Sequence, residues 1–198
     1  EGRAFCSGEV MVPGAVDDQI LAAIERVISA ITKAPFPVVA AVNGLAAGLG
    51  SSLALACDLQ VTKASGYFLQ AFINVGLMGD GGAHMFLAET LGRARAARLL
   101  MLGERLPNKE AFAAGLVSHC VADDDFDRTV EELVERLANG PTMAFSRIKS
   151  AINAAAISQL DEVLALESAG QTVLGNSADH QEGILAFTQK RPANFTGA

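Results

Sequence analysis

The sequence predicts an α/β fold whose second half is entirely helical. Three observations predict it. Val38-Val39-Ala40-Ala41-Val42 is a short continuous apolar run, the pattern of a strand buried on both faces of a parallel sheet. Runs of this kind alternate with helical patterns as far as Val121. From Asp124 onward only helical patterns remain. The chain therefore divides into an α/β core, residues 1–123, and a helical region, residues 124–198.

Each element has its own signal. In Asp17 to Lys33, Ile20, Leu21, Ile24, Val27, Ile28 and Ile31 recur at helical spacing. Asp17 and Asp18 suit the positive end of that helix, and Pro35 and Pro37 prevent its continuation. After the Val38 strand, Asn43-Gly44 turns the chain, and Gly48 to Ala56 reads as a buried helix of small residues. Leu59 to Thr62 and Tyr67 to Gln70 read as strands, and Gly76 to Gly82 as a glycine-rich loop. Helices follow at Ala83 to Leu91 and Ala94 to Leu102. Pro107 suits the first turn of a helix over Asn108 to Ala114, which Gly115 ends. Leu116 to Val121 is the last strand. The tail reads as helices at Asp124 to Ala138, Thr142 to Ala156, Leu160 to Leu174 and Ala178 to Gln189. Such a tail of amphipathic helices suits packing on a neighbouring subunit. The opening, Glu1 to Gly8, lacks a strand to sit on and reads as incomplete upstream.

Composition narrows the function. The 198 residues are 51% hydrophobic with a net charge of −7, which argues against a nucleic-acid or anionic-membrane surface. No apolar run reaches the roughly 18 residues of a membrane span. Cys6, Cys57 and Cys120 have no CxxC spacing, so neither a disulfide framework nor a metal site is expected, and a reducing cytoplasm fits.

Two constellations can carry chemistry. Cys6-Ser7-Gly8-Glu9 and Ala47-Gly48-Leu49-Gly50 are glycine-rich turns beside a strand or a helix start. Backbone N–H groups there either serve tight packing or hold an oxyanion. Neither turn is a dinucleotide or Walker motif. The second constellation is Gly76-Leu77-Met78-Gly79-Asp80-Gly81-Gly82. Asp80 is either the N-cap of the following helix or an acid/base on a loop rim, with glycines leaving room for a substrate. His84, four residues on, is a candidate to orient Asp80 or a surface histidine. Ser51 and Ser52 lie outside any nucleophile-elbow motif and read as packing residues.

In their order along the chain, these pieces resemble the crotonase (enoyl-CoA hydratase/isomerase) superfamily. The resemblance rests on Gly2 to Gly8, Pro37 to Gly44, Ala47 to Asp58, Gly92 to Ala96, Gly115 to Val117 and Lys190 to Phe195. It implies a crotonase-like ββα spiral, a helical C-terminal trimerisation region, and a homotrimer or dimer of trimers. It implies an acyl-CoA thioester as ligand, with coenzyme A carried by the substrate and no separate cofactor. It places the oxyanion-hole donors on the backbone N–H of Glu9 and Leu49, and CoA contacts on Lys190 and Phe187. Two glutamates of the family's hydratases are missing: Ser52 and Phe72 stand in their places. The Gly-Leu-x-x-Asp pattern ending at Asp80 is similar to the 1,2-epoxyphenylacetyl-CoA isomerase-like subgroup, where the aspartate carries the proton chemistry. The resemblance thus implies an isomerase using Asp80, with Phe72 in the acyl pocket. A hydratase using Asp80 alone and a non-catalytic acyl-CoA binder are the alternatives.

Overall fold

The computed structural model describes residues 2–8 and 16–198. Its strands and helices wind as a spiral. After β1 (Ala4–Cys6) and α1 (Asp18–Lys33) come two successive ββα units. The first is β2 (Val39–Val42), β3 (Leu45–Ala47) and α2 (Leu49–Ala56). The second is β4 (Leu59–Lys63), β5 (Tyr67–Leu69) and α3 (Ala83–Leu102), with a 3-10 turn at Ala71–Val75 before the glycine loop. The first strand of each unit joins a parallel sheet ordered β2-β4-β7, and the second joins a sheet ordered β1-β3-β5-β6. The latter closes on β6 (Arg105–Pro107), which runs antiparallel to β5. Then α4 (Asn108–Ala113) leads into β7 (His119–Val121).

Local chemistry explains these boundaries. Asp17 caps α1, its Oδ1 accepting from the N–H groups of Gln19 and Ile20 at 2.8 Å. Leu21, Ile24, Ile28 and Thr32 form the buried stripe of that helix. Between β2 and β3, a Cβ on Gly44 would collide with the Arg3 carbonyl, so glycine is what lets β1 approach. The helical pattern over Ala83–Leu102 breaks at Gly92, whose φ is +74°, matching the two helices read from sequence.

Three strands escaped the sequence pattern: β1, which lies within the opening read from sequence without a strand, β3 and β6. β3 is Leu-Ala-Ala between glycines, and β6 ends on Pro107, which is tolerated because β6 lies at a sheet edge. Pro107 therefore precedes α4 instead of opening it. The last strand is also shorter than its apolar run: Leu116 and Val117 are buried ahead of it.

The C-terminal helices are α5 (Phe126–Ala138), α6 (Thr142–Ala156), α7 (Leu160–Gly175) and α8 (Ala178–Gln189). α7 lies against α1 and α3, and α8 against the 3-10 turn. Leu160 and Leu164 share one hydrophobic cluster with Ile28, Val42, Phe68 and Leu87 of the α/β half. No helix among the described residues is long and apolar enough to cross a membrane.

Candidate active site

The spiral brings the two glycine turns named from sequence together. Gly8 (φ +89°) packs against Gly48 (φ +53°): a Cβ on Gly48 would lie 3.8 Å from the Gly8 Cα. Gly48 donates its N–H to the Leu69 carbonyl at 2.9 Å, which ties the turn to β5. Leu49 then opens α2. Its N–H belongs to the first helical turn, whose donors have no acceptor inside the helix, so it is geometrically suited to an oxyanion. Glu9, the other expected donor, lies outside the described residues.

In front of these turns is a cavity with apolar walls from α1, Phe72 and Leu77. Asp80 is the one carboxylate among its described lining residues. His180 also lines it, but its Nδ1 is engaged with the Val75 carbonyl at 2.8 Å. Phe72 is buried over the turn, its ring edge 3.6 Å from where a Gly48 Cβ would be. Phe72, expected from sequence in an acyl pocket, lines this cavity.

Asp80 is 6% exposed and does not cap α3. The N-cap is Gly82, which offers no side chain. The carboxylate that serves this helix end comes instead from α7. Glu167 Oε2 accepts from Gly82 N–H at 2.7 Å, and Oε1 accepts from His84 N–H at 3.1 Å. The same Oε1 meets His84 Nδ1 at 2.7 Å. His84 thus pairs with Glu167, correcting the expectation that it is either an Asp80 partner or a plain surface histidine. The Asp80 side chain meets Gln171, whose Nε2 donates to Asp80 Oδ2 at 3.2 Å and to the Met78 carbonyl at 2.9 Å.

Ser52, at one of the missing glutamate positions, is fully buried beneath the loop. Its Oγ donates to the Asp80 carbonyl at 2.6 Å. A Cβ on Gly81 would come within 2.9 Å of the Ser52 Cβ, so serine and glycine fit each other there. The Lys190 and Phe187 positions are different. Both sit at the exposed C-terminal end of α8, and neither lines the cavity.

Sequence reading missed Glu167 and Gln171. A signal was present: Leu160, Leu164, Glu167 and Gln171 follow one helical stripe. A buried stripe that turns from leucine to Glu and Gln marks a place where the helix meets polar backbone.

Asp80 and the start of α2 thus line one apolar cavity on a spiral of ββα units. The enoyl-CoA hydratase/isomerase family matches residues 1–198, and the chain belongs to that family. It is 42% identical to a probable enoyl-CoA hydratase of Rhodobacter capsulatus, over 99% of this chain and 78% of that protein. It is 38% identical to the 1,2-epoxyphenylacetyl-CoA isomerase of Escherichia coli, again over 99% and 78%. Among solved structures, an enoyl-CoA hydratase from Mycobacterium avium subsp. paratuberculosis superposes with a TM-score of 0.93 at 45% identity, covering 99% of this chain and 77% of that one.

Proposed function

We propose that the protein is an acyl-CoA isomerase with Asp80 as its single acid/base. The observation that carries this reading is that Asp80 is the one carboxylate among the cavity's described lining residues, with Ser52 and Phe72 at the glutamate positions. Hydration needs a positioned water and a delivered proton. A bond shift needs only one group that takes a proton from one carbon and returns it to another.

In this mechanism the thioester oxygen accepts from the N–H of Leu49 and of Glu9. Asp80 removes a proton next to the double bond, and the charge moves through a dienolate onto that oxygen. The proton then returns to a different carbon, so atoms and electrons balance without a further reactant. An oxyanion donor of this kind contributes about 2.7–4 kcal/mol. Phe72 and the apolar wall keep water from the dienolate. Lys190 and Phe187, exposed at the end of α8, would contact the coenzyme A bound by a neighbouring copy in a trimer or dimer of trimers.

The names of the Rhodobacter and Mycobacterium relatives favour a second reading, hydration through Asp80 alone. Proton NMR in D2O on a 3-enoyl-CoA separates the readings. The isomerase gives bond migration and deuterium incorporation, and Asp80→Asn lowers both by about 10²–10⁴-fold, the usual share of general acid–base catalysis. A hydratase leaves the 3-enoyl-CoA unchanged and, offered the conjugated 2-enoyl-CoA, adds water to give a 3-hydroxyacyl product carrying solvent oxygen. Thioester binding without turnover, unaltered by Asp80→Asn, refutes both enzymes and leaves a binding protein.

A further inference from the structure

We propose that Gln171 is the positioning residue of Asp80, and that α7 acts as a clamp that fixes the carboxylate in its working orientation. The proposal rests on the acid/base reading of Asp80 and deepens it.

The clamp holds the loop on both sides of Asp80. Ahead of it, Gln171 Nε2 reaches the Met78 carbonyl at 2.9 Å. Behind it, Glu167 takes the N–H groups of Gly82 and His84. Residues 167 and 171 are one turn apart on α7, so one rigid helix face sets both ends. Gly170 lies between them, and a Cβ there would collide with the Met78 side chain. The absence of a side chain at 170 is what lets α7 approach.

Between these anchors, the second N–H of the Gln171 amide goes to Asp80 Oδ2 at 3.2 Å. The amide orientation follows from its partners. A flipped amide would set its oxygen against the Met78 carbonyl and the Asp80 carboxylate, two acceptors. Gln171 is therefore a donor to Asp80, and a donor favours the ionised form of a carboxyl. It is 1% exposed, so water does not substitute for it. A base that must collect a proton at one carbon and release it at another depends on a fixed orientation, because small displacements of a reacting group lose much of the rate.

Two variants test this. Gln171→Met keeps the length of the side chain and removes the donor. Gln171→Glu keeps the shape and sets a second carboxyl against Asp80. The readouts are kcat and KM for 3-enoyl-CoA isomerisation across pH, and the Asp80 carboxyl titration. The titration is followed by carbon-13 NMR, with the signal assigned by its loss in Asp80→Asn. Urea unfolding verifies that both variants fold. In Gln171→Met, kcat falls about 10- to 100-fold, the span of a hydrogen bond to a charged group, while KM holds. The acid limb and the titration move to higher pH, and further in Gln171→Glu, where like charges oppose ionisation. Folded variants whose titration and acid limb stay in place overturn the proposal, even if activity drops, because that pattern is merely structural. If Asp80→Asn keeps full turnover while the titration still moves, the clamp stands and the acid/base reading falls.

Discussion

The link between α7 and the start of α3 can be tested by Glu167→Gln. Glu167 is 2% exposed and serves three groups: the N–H of Gly82, the N–H of His84 and the His84 ring nitrogen. Glutamine keeps the shape but has one acceptor oxygen and one NH₂. If the oxygen takes the Oε1 position, the NH₂ faces the Gly82 N–H. If it takes the Oε2 position, the NH₂ faces the His84 N–H. Either way one buried donor of the first turn of α3 loses its acceptor. The unmet donor and the lost charge at a helix N-terminus together destabilise the protein by about 2–4 kcal/mol. For a chain of this length that lowers Tm by roughly 5–10 °C. Urea unfolding at unchanged slope measures it directly. A midpoint corresponding to less than about 0.5 kcal/mol of change, the scatter of neutral surface substitutions, refutes the argument. The acceptors of this helix end would then have to come from elsewhere.

Two more outcomes follow from the same contacts. Lys149 is 6% exposed, and its Nζ meets Asp58 Oδ2 at 2.7 Å and the Ile31 carbonyl at 2.6 Å, so it ties α6 to α1 and to the α2–β4 turn. Lys149→Met leaves Asp58 without its counter-charge and destabilises by about 3–5 kcal/mol, and a double-mutant cycle with Asp58→Asn is sub-additive in urea unfolding. At the C-terminus, the Arg191 guanidinium and then the Asn194 N–H hold Glu182 down to about 2 from an ordinary 4.5. A lowered carboxyl stabilises the folded state above its ordinary range, and that contribution disappears as pH falls through about 2. Glu182→Gln flattens the stability–pH curve across this acid window.

The sequence made most helices legible because their signals are local. Asp17 ahead of an apolar stripe, and Ser177 ahead of Ala178, name their own starts; Ser177 Oγ accepts from His180 N–H at 3.0 Å. The strand Val39–Val42 declared itself by continuous β-branched and small residues. β3 and β6 did not, because three residues each hold no period, and their identity comes from pairing with β5. The site divides in the same way. The glycine turns and Asp80 lie in short motifs, each contiguous in sequence. Gln171 and Glu167 lie about 90 residues further along the chain from the groups they bind, a relation that only the packing of α7 creates.

That division says how the site works as well as how it is read. Asp80 sits among glycines at 79, 81 and 82, which clear space but give the loop no rigidity of its own. Rigidity must come from outside, and it comes from two directions. Ser52 holds the Asp80 carbonyl from α2, the helix whose N-terminus faces the cavity. Gln171 holds the carboxylate from α7. A glutamate at position 52 would occupy the space where Ser52 Cβ and Gly81 already approach contact distance. It would also release the Asp80 carbonyl. The loop that carries Asp80 is therefore held at two different groups: Ser52 fastens the backbone carbonyl from α2, and Gln171 fastens the carboxylate from α7.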